Sequence, residues 1–289
     1  MNRLLLLFCG LFPFLASAQV DTDIYLVDLS VKGNTVVLSN PRNITPHKGY
    51  DNQPFFHPTL PLLYYSSSTD SSRTDLKSYN YKTAQTQQIT ATHEREYSPL
   101  LTADQQSLSC IIQRDNGQQD LGKYPLAGGP PTVLIDKLKV GYHAWIDQSR
   151  LLVYALATPS SELHYLNLAT NSDTIIARNI GRSLKQIPNQ AALSFLEKTP
   201  DGKWLIKRFD TNTRAISILG PALEGSEDLA WTKNGLMLMS NGQQIYACRP
   251  GHRDGWKPVK MTGTTSGLNK ASRLAINAAN NQMAVVVSE

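Results

Sequence analysis

A short pattern recurs six times along this chain of 289 residues. A polar residue is followed by small or apolar residues that lead into a turn. The six copies are Gln53-Pro54-Phe55-Phe56, Ser98-Pro99-Leu100-Leu101, His143-Ala144-Trp145-Ile146, Ser183-Leu184-Lys185-Gln186, Asp228-Leu229-Ala230-Trp231 and Arg273-Leu274-Ala275-Ile276. Their first positions, here called anchors, are 53, 98, 143, 183, 228 and 273, so the steps are 45, 45, 40, 45 and 45. A period in the forties with several short β-prone runs per unit predicts a β-propeller. The expectation is an all-β, six-bladed ring of four-stranded antiparallel blades.

The second repeat carries the pattern most clearly. Tyr97 to Leu101 reads as an inner strand and Ser107 to Gln113 as the next. Asp115-Asn116-Gly117 supplies the positive φ angles a tight hairpin needs. Leu121 to Leu126 follows, then a break at Ala127-Gly128-Gly129-Pro130-Pro131, then an outer strand over Thr132 to Ile135. The same order recurs at Ala192 to Glu197, Trp204 to Phe209 and Ile216 to Leu219. It recurs again at Leu236 to Ser240, Gln244 to Arg249 and Val259 to Met261. No long window has the 3.6-residue period of an amphipathic helix.

The two ends complement each other. After Arg273 there is room for an inner strand and Met283 to Val287 only. Ile24 to Leu29 and Thr35 to Leu38, joined by a Lys32-Gly33-Asn34 turn, resemble the missing third and outer strands. The N-terminal segment 19–47 is therefore expected to complete the last blade and close the ring, which removes two unpaired strand edges. Residues 1–18 read as a cleaved signal peptide, with Arg3, an apolar run Leu4 to Leu15 and the Ala16-Ser17-Ala18 site. The expected mature product is one domain, 19–289, exported to the periplasm or beyond. No later stretch is long and apolar enough to span a membrane as a helix.

Charge excludes one class of partner. The 28 basic and 23 acidic side chains are scattered, and no Lys/Arg run interleaved with aromatics marks a nucleic-acid surface. Of the cysteines, Cys110 and Cys248 fall on opposite sides of a six-repeat ring, too far apart to bridge. Two free, buried thiols are expected. Tyr64, Tyr65, Trp204 and Trp256 are expected to pack between blades, Trp256 with the option of an exposed loop.

Phe56-His57-Pro58, Pro200-Asp201-Gly202-Lys203 and Trp231-Thr232-Lys233-Asn234-Gly235 resemble eroded copies of the (F/W)-S-P-D-G-K turn. That turn marks the WD40-like repeat of bacterial TolB-type propellers. Tyr50 to Pro54, Gly141 to Trp145, Gly181 to Ser183 and Gly225 to Asp228 are similar to a group of exported TolB-like six-bladed propellers. TolB itself carries an α/β domain ahead of its propeller. Residues 19–52 leave no room for one, so only the propeller is implied. The resemblance implies binding rather than chemistry.

In a propeller the innermost strands converge on the axis, so their leading residues surround one mouth of the channel. The candidate ligand-binding set is Asp51, Asn52, Glu96, Tyr97, Tyr142, His143, Arg182, Glu227, Asp228 and Arg273. Convergent polar groups at a concave site are a binding-site signature. The bland alternative is that Arg182 or Arg273 pairs with Glu227 or Asp228 and merely holds the ring together. His143, followed by Ala144-Trp145, reads as a hydrogen-bonded packing residue. The carboxylates with Asn52 and Gln53 offer oxygen ligands of the kind Ca²⁺ prefers, while the two arginines oppose a bare cation. No H-E-x-x-H, nucleophile elbow or phosphate loop is present. The expected protein is thus a monomeric binding module with no catalytic residues, taking a protein partner or a small ligand at the channel mouth. The rival is a channel enzyme with a divalent metal, of the lactone hydrolase or lyase type.

Overall fold

The computed structural model describes residues 20–69, 73–252, 254–263 and 267–289; the expected leader lies outside them. Every regular element described is a β-strand. The strands form five hydrogen-bonded sheets, four of them four-stranded antiparallel meanders and one nine-stranded. The second repeat forms as its residues suggest: Arg95–Leu101, Ser107–Gln113, Gln119–Pro125 and Thr132–Ile135. The Asn-Gly turn in this sheet has Gly117 at φ 82°, a conformation that side-chain-bearing residues resist.

The nine-stranded sheet resolves into two four-stranded antiparallel runs and one extra strand. One run is Tyr50–Phe56, Leu62–Ser68, Asp75–Asn80 and Gln85–Gln88. The other begins at the C-terminus: Ala271–Ile276 pairs Gln282–Ser288, which pairs Thr22–Lys32, which pairs Thr35–Asn43. The N-terminal hairpin therefore occupies the third and outer positions of a run whose first two strands are the last of the chain. A single parallel pair, Thr22 with Tyr50, joins the two runs.

One outer strand departs from the sequence reading. Lys257–Pro258, not Val259 to Met261, pairs with Ile245–Cys248. Lys260–Thr262 leaves that sheet and runs parallel to Thr35–Asn43 in the next. The physical reason lies in Val259. It is buried and packs in one cluster with Leu38 and Val36, so the chain crosses to its neighbour there.

The core consists of six apolar clusters, each between two successive four-stranded groups. Leu76 of the first group meets Leu108 and Cys110 of the second. Ile111 of the second meets Leu151 and Val153 of the third. Leu163 meets Phe195 and Phe209; Leu196 and Ile206 meet Trp231 and Met239; Leu238 and Ile245 meet Leu38 and Met283. The sixth cluster joins the last group back to the first, through Leu26 and Val286 against Phe56 and Tyr65. Each fully buried aliphatic side chain in such a cluster contributes about 1.5–3 kcal/mol.

Both described cysteines are free. Cys110 is buried, and burial pushes its thiol well above the ordinary value, with Glu96 adding to the rise. Cys248 is only half-buried, because it ends a short strand whose alternate residues, Ile245 and Ala247, take the inward positions. Tyr64 and Tyr65 are buried. Trp204 and Trp256 pack against the same cluster, and Trp256 donates its indole N–H to Pro221 O at 3.1 Å.

Candidate functional site

The first strand of nearly every group is irregular at its anchor or just before it. The ladder shifts register between Asn52 and Phe55, Tyr97 and Leu100, Val140 and Tyr142, Ile180 and Leu184, and Ala271 and Arg273. Gln53 and Ser98 take positive φ angles of 56° and 55° at these points. Bulges of this kind bend a strand and re-aim its side chains. Gln53, Ser98 and Ser183 drop out of the ladder at these shifts, and several anchor side chains reach the neighbouring group. Gln53 Oε1 accepts the Ser98 N–H at 2.9 Å, Ser183 Oγ accepts the Leu229 N–H at 3.1 Å, and Asp228 Oδ2 accepts the Leu274 N–H at 3.2 Å. The anchors clasp successive groups together.

The six anchor segments surround one central cavity of about 440 Å³, whose wall includes residues from each of Gln53 to Phe56, Ser98 to Leu101, Tyr142 to Trp145, Arg182 to Gln186, Asp228 to Trp231 and Arg273 to Ile276. A second cavity of about 520 Å³ is walled by the residues just before the anchors, among them Tyr50, Tyr97, Gly141, Gly181 and Glu227. Gln53, Tyr142 and Arg182 line both, so the two spaces meet at these three side chains.

Seven of the ten candidates face these spaces. Tyr142, His143, Arg182, Asp228 and Arg273 line the first cavity; Tyr97 and Glu227 line the second, with Tyr142 and Arg182 shared. Asp51, Asn52 and Glu96 line neither. Strand alternation accounts for the two acids. Two residues before the anchor, the side chain points into the packed layer, not toward the axis. Asp51, Glu96, Gly181, Ser226 and Ala271 all occupy that position and all are buried. Glu96 is held there by Thr90, Thr92 and the Tyr124 hydroxyl, and burial raises its carboxyl above the ordinary range despite those bonds. Asp51 is pushed up to about 6, first by burial, against the pull of Ser67, His47 and Lys77. Asn52 turns its carbonyl oxygen onto the Gln53 N–H at 2.8 Å, and Tyr50 and Gln53 take its place in the wall.

His143 is buried, with Nε2 2.7 Å from Ser109 Oγ and Nδ1 without a partner. Burial lowers it to about 3, so it is neutral at physiological pH. Ser109 also accepts the Trp145 indole N–H at 2.9 Å. The same arrangement recurs where Trp231 donates to Ser194 Oγ at 2.8 Å. Ser109 and Ser194 each lie eleven residues after their anchors, so this bond is a second repeated clasp.

The arginines behave differently. Arg273 Nη2 donates to the Tyr142 hydroxyl at 2.7 Å, and the guanidinium lies 5.2 Å from the Tyr142 ring centroid. Burial alone would lower Arg273; Tyr142, Asp228 and Tyr50 outweigh it and hold it above the ordinary value. Arg182 makes no hydrogen bond or ion pair among the described residues, and its buried Nε has no partner. Neither arginine forms an ion pair with Glu227 or Asp228. The cross-ring salt bridges of the bland alternative are absent among the described residues.

Around the second cavity, aromatic rings stand edge to face: Tyr50 against Tyr97, and Tyr142 against Tyr154. Gly141 admits the last pair, since a Cβ there would fall 2.8 Å from Tyr154 Cδ1. The sequence reading missed Tyr50, Tyr154, Trp145, Lys185 and Gln186 as wall residues. The repeat itself carried a usable signal for Trp145, Lys185 and Gln186, because they sit inside the anchor segments. The carboxylates do not converge: Glu227 and Asp228 face different cavities and Asp51 and Glu96 face neither. Among the described residues no three His, Cys, Asp or Glu side chains come together as a metal-ligand set.

No protein-family model matches this chain, and no curated protein matches it in sequence. Solved structures do match in fold. A TolB protein from Agrobacterium tumefaciens superposes with a TM-score of 0.68 at 11% identity, over 94% of this chain and 99% of that one. TolB from Acinetobacter baumannii gives 0.59 at 10% identity over 91% of this chain, which spans only 63% of that longer protein. A protein described as a gluconolactonase gives 0.60 at 12% identity, over 90% and 96% of the two chains. The chain has a β-propeller fold similar to that of TolB-like proteins. Identities this low speak to fold alone, and the fold hosts both binding proteins and enzymes. No helix among the described residues is long and apolar enough to cross a membrane.

Proposed function

We propose that this chain is an exported, monomeric, six-bladed propeller that acts as a binding module, taking a small ligand or a protein loop into its central cavity. The observation that carries the reading is the wall itself: all six anchor segments contribute to one cavity, and polar side chains from separate groups meet there. Six apolar clusters in circular succession support six blades in one domain over 19–289. The pairing of the two chain ends supports closure by the 19–47 segment. Export rests on the leader-like residues 1–18.

The scattered carboxylates favour binding over the metal-dependent lactone hydrolase or lyase alternative. That alternative expects EDTA to lower the melting temperature and Ca²⁺ to restore it. The binding reading is tested with Leu100→Trp, which places a bulky indole in the cavity at a half-buried wall position. Compounds from a small-molecule library that raise the melting temperature of the wild type should fail to do so for this variant. Equal shifts in both proteins would overturn the cavity as the binding site.

A further inference from the structure

The cavity wall carries three cations, Arg182, Lys185 and Arg273, against one carboxylate, Asp228. That carboxylate already accepts a backbone N–H through Oδ2. A guanidinium loses hydration when it is enclosed, and an enclosed donor without a partner is unfavourable. Arg182 is in that position: it has no bond to any described residue, and Nε is buried. Arg273 spends one donor on the Tyr142 hydroxyl, and its guanidinium lies over the Tyr142 ring. The Tyr142 oxygen accepts that bond, so its own hydrogen remains able to donate. Two guanidinium forks and a phenol O–H therefore line the same space, with Asp228 the one carboxylate of that wall.

The rest of the wall narrows the choice of anion. Phe55, Leu100, Trp145, Leu184 and Ile276 are apolar, which suits an organic body. Asp228 belongs to the same wall and interacts with Arg273, so a dianion such as phosphate meets a repulsive charge that a monoanion meets less. The planar fork of arginine matches the two oxygens of a carboxylate.

Resting on the central-cavity reading, we propose that Arg182 and Arg273, with the Tyr142 hydroxyl, form an anion-recognition point, and that the ligand is a small organic carboxylate with an apolar or ring-shaped body. Arg182 supplies the vacant fork. Arg273 is the preoriented partner.

The test uses phenylacetate, its neutral isostere phenylacetamide and inorganic phosphate as probes, with binding followed by calorimetry and ligand-observed NMR. Phenylacetate should bind roughly tenfold to a hundredfold more tightly than phenylacetamide, the range expected for hydrogen bonds to a charged group. Arg182→Gln should abolish that difference while Arg182→Lys keeps part of it. If Arg182→Gln fails to fold, Arg182→Lys and Arg273→Lys serve instead, since both keep the charge and lose the fork. Equal binding of acid and amide overturns the proposal, as does undiminished phenylacetate binding in the glutamine variant, or in both lysine variants where those replace it. Tighter binding of phosphate than of phenylacetate overturns the choice of carboxylate. Absence of phenylacetate binding overturns the proposal as well. If the amide binds and Leu100→Trp blocks it, the cavity reading survives that failure; if Leu100→Trp leaves binding of every probe unchanged, the cavity reading falls too.

Discussion

Asp51 offers a quantitative check on where the sequence places a charge and where the fold puts it. Its side chain is 0% exposed, and the Ser67 hydroxyl beside it only partly offsets the cost of burying the charge. The one basic side chain in contact is His47, whose Nε2 lies 3.3 Å from Oδ2. Burial lifts the carboxyl from 3.8 to about 6. The folded state thus holds its proton over a pH range in which the unfolded chain has released it. The sign follows from linkage: the contribution to stability is fully present below about pH 3.8 and is lost as pH rises through 6. At about 1.4 kcal/mol per pH unit, the loss is about 3 kcal/mol by neutral pH. Asp51→Asn removes the ionisable group at constant shape, and its amide can donate to the Ser67 Oγ or to His47. Urea unfolding of both proteins is followed by tryptophan fluorescence from pH 4 to pH 8, and titrating groups out of contact with Asp51 cancel in the difference. The stability of the variant relative to the wild type should rise by about 3 kcal/mol across that range, and the variant should be the more stable at pH 8. A difference that stays flat with pH, or that turns in favour of the wild type as pH rises, would refute a buried, protonated Asp51.

His143 gives the opposite slope. Because burial lowers it to about 3, stability is lost as pH falls through about 6.5, where the unfolded histidine takes up a proton and the folded one does not. Relative to His143→Gln, the wild type should lose about 3 kcal/mol between pH 7 and pH 4, read by the same unfolding series; no relative loss would mean that the ring titrates freely. Removal of residues 21–40 strips Thr22–Lys32 from Gln282–Ser288, together with most of the strand outside it, and uncovers Met283, Ala284, Val285 and Val286, which are buried in the intact fold. The product should be insoluble or melt without cooperativity, and a soluble product with a sharp calorimetric transition would disprove closure through the N-terminal hairpin.

Strand positions were legible in the sequence because turn residues and β-prone runs are local signals. Ser107–Gln113 and Thr132–Ile135 fall where the residues alone place them. The exchange between chain ends was legible too, since an incomplete last repeat and a surplus first pair point to one another. Two things were not. Lys260–Thr262 abandons its own sheet for Thr35–Asn43, a choice made by burial of Val259 across a gap of more than two hundred residues. The direction of the pre-anchor side chains was also hidden. The sequence treats Asp51-Asn52-Gln53 as one polar cluster, while strand alternation and a bulge send Asp51 into the packed layer, Asn52 onto the backbone and Gln53 to the wall. A bulge depends on pairing with the second strand, so no local pattern announces it.

The division of labour along each inner strand explains why polar residues recur there with differing chemistry. Where anchors accept a backbone N–H from the next group, the task asks only for an acceptor, and Gln53, Ser183 and Asp228 all serve. Two places earlier the demand is for something that fits a closed layer. Two repeats meet it with an acid bound by hydroxyls or neighbouring charge, and the next two meet it with a glycine that makes way for an aromatic ring, Tyr154 or Trp204. Between these two structural positions lies a third, still paired in the ladder in the second and third repeats, where Tyr97 opposes Ile111 and Tyr142 opposes Tyr154. In the middle four repeats it holds Tyr97, Tyr142, Arg182 and Glu227, and all four face the second cavity. Tyr97 and Tyr142 also make structural contacts there, edge to face with Tyr50 and Tyr154, so the proposed ligand chemistry rests on Arg182 rather than on the position as a whole. Arg182, with no structural bond to keep it there, is the side chain for which a ligand is the most economical explanation.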